Sequence, residues 1–228
     1  MQDDFDMDEF GAFPVVASLA KQVEDRIRSA ITSGKMNPNV LYTEPNLAKQ
    51  MGVSRTPVRE AVLELASRGL VTVLPRRGFQ VRNFTPGCVR EVYDLRIALE
   101  LHAVEVLARN PEKYDFDLAL ETVASQEKGA TKSEIENVVQ FGRDFHLELL
   151  KLAGNSMAIK VFDDIRDILN VTWTQAFSRS ISAQVVVDDH KKLIEMIKHG
   201  EGAKAREFLR KHLLRSEQAV LEALQQAE

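Results

Sequence analysis

The sequence predicts a mainly α protein, with an N-terminal winged helix-turn-helix followed by an all-helical antiparallel bundle of about six helices. Three observations predict it. Residues 47–70, LAKQMGVSRTPVREAVLELASRGL, read as two short helices joined by a tight turn at Gly52. Two strand-like runs, 70–74 and 79–82, flank the basic turn Pro75-Arg76-Arg77-Gly78, the pattern of a wing. Beyond residue 85 apolar residues recur at three- and four-residue steps, with no strand pattern. The expected divisions are an acidic, disordered tail over 1–13, the winged helix over 14–84 and the helical domain over 85–228.

Composition narrows the class. The chain of 228 residues is 44% hydrophobic, which suits one or two globular domains and not a disordered polymer. Its apolar runs fall short of a membrane span, and its N-terminus is acidic where a signal peptide would be basic. A single cysteine, Cys88, excludes an intrachain disulfide framework, so a cytoplasmic protein is expected. The net charge of −4 hides a division: residues 12–84 carry 11 basic and 5 acidic side chains, residues 85–228 carry 19 and 24. Positive charge therefore gathers on the part with the helix-turn-helix, as phosphate neutralisation requires.

Taken in order, Val16, Leu19, Ala20, Val23, Ile27, Ala30 and Ile31 define an amphipathic helix over 16–33, stopped by Gly34. Thr43 stands where it would cap the next helix, with Pro45 in its first turn. Leu47, Ala48 and Met51 form that helix's inner side, and Val58, Ala61, Val62 and Leu65 the stripe of the helix after the turn. The free side of that second helix carries Arg55, Thr56 and Arg59 near its N-terminus. Such a helix meets base edges and phosphates in a major groove, and either arginine could read guanine or clamp phosphate. Arg76, Arg77 and Gly78 at the wing tip would approach the minor groove or the backbone of double-stranded DNA.

Thr85 and Pro86 open a long helix to about Arg109, which Asn110-Pro111 ends. Further helices are expected over 116–127, 133–152, 156–180, 183–199 and 201–227, with breaks at Gly129, Gly154-Asn155 and Gly200. His146, His190 and His212 fall one on each of three of these helices. Their separations of 44 and 22 residues make no local metal motif, and lone helix histidines are most often structural. Arg96, if it faces into the bundle, either recognises a carboxylate or pairs internally with Glu100. Asn155 after Gly154 fits a helix cap. Trp173 and Phe177, four apart, fit core better than pocket.

Ser54-Arg55-Thr56-Pro57-Val58-Arg59-Glu60-Ala61, with Leu65, Gly69-Leu70 and Arg76-Arg77-Gly78, closely resembles the DNA-binding domain of GntR-family bacterial transcription regulators. The later part resembles the FCD ligand-binding domain of the FadR subfamily, and six helices rather than seven resembles its VanR-like group. The resemblance implies a homodimeric regulator, expected to be a repressor released from a palindromic operator by a small organic or sugar acid. It implies DNA contacts at Arg55, Thr56, Arg59, Arg76, Arg77 and Gly78, and effector contacts at Arg96 and Asn155. It also implies a divalent metal, zinc or nickel, on His146, His190 and His212. Two departures stand out: Pro45 replaces a DNA-contacting arginine, and Gly142 replaces a metal-binding aspartate. Asp144 lies about 200° round the helix from that position and does not simply substitute. A metal-dependent hydrolytic enzyme built on the three histidines and an architectural DNA protein without effector are the alternatives. No catalytic residue is expected: no clear general base accompanies the histidines beyond Asp189 and Glu148, and an enzyme leaves the winged helix without a purpose.

Overall fold

The computed structural model describes residues 17–38, 40–132, 134–177 and 182–225. The acidic segment 1–13 lies outside them. Helix α1, Leu19–Thr32, begins at Ser18, whose side chain accepts from the Lys21 amide at 3.1 Å, satisfying a donor that every helix start leaves open. Its buried stripe is Val23, Ile27 and Ile31, and Gly34 leaves it at φ 72°. Helix α2 spans Glu44–Met51. Thr43 holds its N-cap position, but its hydroxyl makes no capping bond; Pro45 in the first turn removes one donor that would have needed a partner.

Gly52, at φ 68°, turns the chain from α2 into α3, Arg55–Ser67. Val58, Ala61, Val62 and Leu65 are essentially inaccessible to solvent, and each large aliphatic so buried contributes about 1.5–3 kcal/mol. They pack against α1 and form the core of the winged helix together with Leu70, Val71, Phe79 and Val81. The wing is a hairpin of β2, Val71–Leu74, and β3, Gly78–Val81. A third strand, β1, Leu41–Tyr42, pairs with the outer edge of β3 and gives the order β1-β3-β2. Two residues carry no periodicity, so no sequence pattern announces this strand.

The remaining described residues form a bundle: α4 (Pro86–Arg109), α5 (Asp117–Thr131), α6 (Ile135–Leu152), α7 (Ser156–Phe177), α8 (Ala183–Lys198) and α9 (Gly202–Gln225). A 3-10 turn over Pro111–Lys113 follows α4. Thr85 caps α4 by accepting from the Cys88 amide. Gly154 and Gly200 leave their helices at φ 77° and 70°, as expected of helix ends. Gly129 corrects the reading: it lies inside α5, where a Cβ would come within 3.1 Å of Asn137 Cβ. The residue is small because α5 and α6 approach closely there, not because the helix ends. Asp167 on α7 is buried where α7 meets the winged helix, facing Arg28 of α1 at 3.4 Å and Arg68 at 3.8 Å.

Candidate functional site

Two regions carry chemistry. On the winged helix, Arg55, Thr56 and Arg59 are all exposed in the first turns of α3, while Pro57 and Val58 point inward. The 3.6-residue period thus leaves one face free, and that face holds two guanidiniums and a hydroxyl. Arg76 and Arg77 are exposed at the wing tip, where the Arg77 amide donates to Leu74 O at 3.0 Å and Arg76 takes φ 64°. Gly78 is half-buried, and a Cβ on it would sit 2.0 Å from the Tyr42 carbonyl oxygen. Its lack of a side chain serves the β1–β3 pairing.

Inside the bundle α6, α8 and α9 bring His146, His190 and His212 together, all buried. One ring nitrogen from each lies within 4.8 Å of the others. Every Nδ1 has a fixed neighbour. His146 Nδ1 stands 2.6 Å from Glu100 Oε2, in a contact not aligned for a linear hydrogen bond. His190 Nδ1 meets Gln126 Oε1 at 2.8 Å, and His212 Nδ1 meets Asp189 Oδ2 at 3.0 Å. Gln126 Nε2 donates to Val138 O at 3.2 Å, so its oxygen is the atom turned to His190, which then carries its proton on Nδ1. Each Nε2 is left as the free nitrogen, and that of His190 is buried without a partner. Burial holds the His146 imidazole down to about 4, against the pull of Glu100, and keeps His190 well below its ordinary value. Three buried imidazoles, each with its Nδ1 held against a neighbouring side chain, form a donor set that fits a borderline divalent metal ion. These rings line a small cavity of about 30 Å³ with Gln126, Gly142, Arg143, Asn170 and Trp173.

Residues 91–215 match the FCD domain, and residues 19–81 match the gntR family of bacterial regulatory proteins. The chain belongs to the GntR family and carries an FCD domain. It is 26% identical over 194 residues to the HTH-type transcriptional regulator YdhC of Bacillus subtilis, covering 85% of each chain. It is 25% identical over 192 residues to the gluconate operon transcriptional repressor of Bacillus licheniformis, covering 80% of this chain and 76% of that one. Among solved structures, Escherichia coli McbR/YncC has the same fold, with a TM-score of 0.74, 23% identity, and coverage of 93% and 100%. A GntR transcriptional regulator from Rhodococcus sp. RHA1 superposes with a TM-score of 0.76 and 20% identity, covering 89% of this chain and 97% of that one.

In this GntR-family chain, a DNA-binding transcription regulator and not an enzyme, the other anticipated positions divide. Arg96 lines the cavity but is buried and paired through Nε with Glu100 Oε1 at 2.8 Å. Burial would raise the Glu100 carboxyl, yet Arg96 and His146 hold it at about 2. Arg96 therefore fixes the carboxylate that orients His146. Asn155 lies apart from the cavity lining: its Oδ1 accepts from the Ala158 amide at 3.1 Å and caps α7. Trp173 is buried and lines the cavity, and the side chain of Phe177 lies outside the described residues. Asp144 binds Arg143, consistent with its position off the helix side that carries His146. At Gly142 a Cβ would meet Gln126 Nε2 at 2.5 Å. The amide of Gln126, from α5, thus fills the space a side chain at 142 would need. Sequence reasoning missed Gln126, Arg143 and Asn170 because no spacing links α5, α6 and α7. Among the described residues no helix is long and apolar enough to cross a membrane.

Proposed function

We propose that the protein is a cytoplasmic repressor of the FadR subfamily, VanR-like group. It binds a palindromic operator as a homodimer and is released by a small organic or sugar acid. The winged helix over 14–84 binds DNA and the bundle over 85–228 binds effector and the second protomer. Arg55, Thr56, Arg59, Arg76 and Arg77 make the DNA contacts. A relative named a gluconate operon transcriptional repressor supports the sign of regulation. The observation that carries the effector reading is the group of three buried imidazoles, each with Nδ1 engaged and His190 Nε2 unpartnered. His146, His190 and His212 would hold zinc or nickel through Nε2. When bound, such an ion supplies an open coordination position to an effector carboxylate. Effector then shifts the placement of the two winged helices only by as much as it prefers one arrangement.

The test is the melting temperature of the purified protein against a panel of carboxylic and sugar acids, with and without zinc or nickel, since a ligand of the native state raises it. A metal-dependent rise with one acid is expected. A rise with an acid that is indifferent to metal, or unchanged in a His190→Ala variant, would overturn the three-histidine reading.

A further inference from the structure

The effector cavity does not end at the histidines. Val139, Arg143 and Asn170 line it and also line a second cleft, where α6 and α7 of the bundle face Arg28, Ser29, Thr32 and Ser33 of α1. Arg143 is thus part of the wall between the effector cavity and the DNA-binding part. Its Nη1 donates to Asn170 Oδ1 at 2.5 Å, and its Nε and Nη2 both go to one oxygen of its sequence neighbour Asp144, at 3.1 and 2.7 Å. A single shared oxygen is not the two-oxygen fork that a guanidinium prefers. The other cavity arginine, Arg96, is already committed to Glu100. Gly142 and Gln126 contribute no negative charge, and the Arg143 guanidinium is met by a single carboxylate oxygen of Asp144. Arg143 is one helical turn from His146, about 5–6 Å between Cβ atoms. That spacing suits a short acid with a carboxylate at each end.

We propose that Arg143 is the second anchor of a dicarboxylate effector whose first carboxylate sits at the three histidines, and that drawing Arg143 off Asn170 is what the DNA-binding part senses. The inference rests on the acid-effector reading above. The route onward is one helix. Asn170 and the cavity residues Leu169 and Trp173 lie on α7, and one turn earlier Asp167 of the same helix holds Arg28 and Arg68 of the winged helix. Neither Asp167 oxygen has a hydrogen-bond partner in this buried position, and its ion pairs with Arg28 and Arg68 are long, at 3.4 and 3.8 Å. A shift at Asn170 reaches α1 and the end of α3 through that carboxylate.

Succinate and butyrate are a matched pair of probes: both have four carbons, and only succinate has the second carboxylate. Isothermal titration of the zinc-loaded full chain is expected to show succinate tighter than butyrate by about tenfold or more, the size of a charge-assisted pair. Arg143→Gln removes that preference and leaves zinc affinity unchanged, and Arg143→Lys retains part of it, a pattern that a purely structural arginine would not produce. Hydrogen exchange of the α1 amides changes on adding succinate, and Asp167→Asn abolishes the change while succinate still binds; Arg68→Gln serves if that variant does not fold. An undiminished succinate preference in Arg143→Gln overturns the anchor, and an exchange response that survives Asp167→Asn overturns the route. If the parent protein binds neither acid, the acid-effector reading itself fails and this inference with it.

Discussion

Gly142 and Gln126 act as a pair. A side chain at 142 would collide with the Gln126 amide 2.5 Å away, and the same amide orients His190. Gly142→Asp is therefore expected to cost about 1–3 kcal/mol in urea unfolding through overpacking. Adding Gln126→Ala makes room and should both recover that loss and tighten zinc, because a carboxylate joins the three imidazoles. A double variant with unchanged zinc affinity would show that position 142 does not face the ion. Glu100 is a second such residue, since it touches Arg96 on one side and His146 on the other. Glu100→Gln leaves the buried guanidinium of Arg96 without its counter-charge, an expected loss of about 3–5 kcal/mol. A loss below about 1 kcal/mol would mean that Arg96 escapes to solvent or finds another acid.

The elements that read DNA are a helix and a hairpin, and they fail differently. Arg55 and Arg59 lie on the exposed face of α3, away from its core stripe, so replacing both with alanine should leave the melting temperature within a degree or two. Specific operator binding should fall by about tenfold to a hundredfold per arginine, with a salt slope shallower by about one for each phosphate no longer neutralised. Retained affinity in fluorescence anisotropy would remove α3 as the reading helix. Gly78 acts through the hairpin itself: its φ of 131° and the Tyr42 carbonyl oxygen, 2.0 Å from where a Cβ would stand, leave alanine no room. Gly78→Ala should cost of order 1–3 kcal/mol or strip β1 from β3, seen as faster hydrogen exchange at Tyr42. A native melt and native DNA affinity in the Gly78→Ala variant would contradict that geometry.

At the scale of the whole molecule the buried histidines make stability depend on pH. His146 is held at about 4 in the fold, against 6.5 for an ordinary histidine, and His190 is lowered as well. As pH falls through about 6.5 the unfolded chain takes up protons that the fold refuses, so stability present at neutral pH is lost progressively towards pH 4. Glu100, lowered from 4.5 to about 2, extends the loss below 4.5, because protonation of the unfolded chain again comes first. For the metal-free protein the melting temperature should therefore drop steadily from pH 7 to 4.5, and His190→Ala should flatten the slope. A metal competes with protons for the same nitrogens, so zinc should raise the melting temperature at pH 7 and lose that effect by pH 5.

The helix-turn-helix, the wing and the bundle were legible because they rest on local rules: a 3.6-residue stripe in α3, a glycine turn at Gly52, a basic hairpin tip, and a cap at Thr85 that a neighbouring residue satisfies. The three histidines could be named one by one, and a family resemblance could group them. What sequence order does not contain is which side chains from distant helices arrive in the same space. Gln126 filling the gap at Gly142, Glu100 serving Arg96 and His146 together, Gly129 closing two helices instead of ending one, and Arg143 standing between two cavities are all products of packing. Local periodicity says which face of a helix is buried, and only the tertiary structure decides what that face meets.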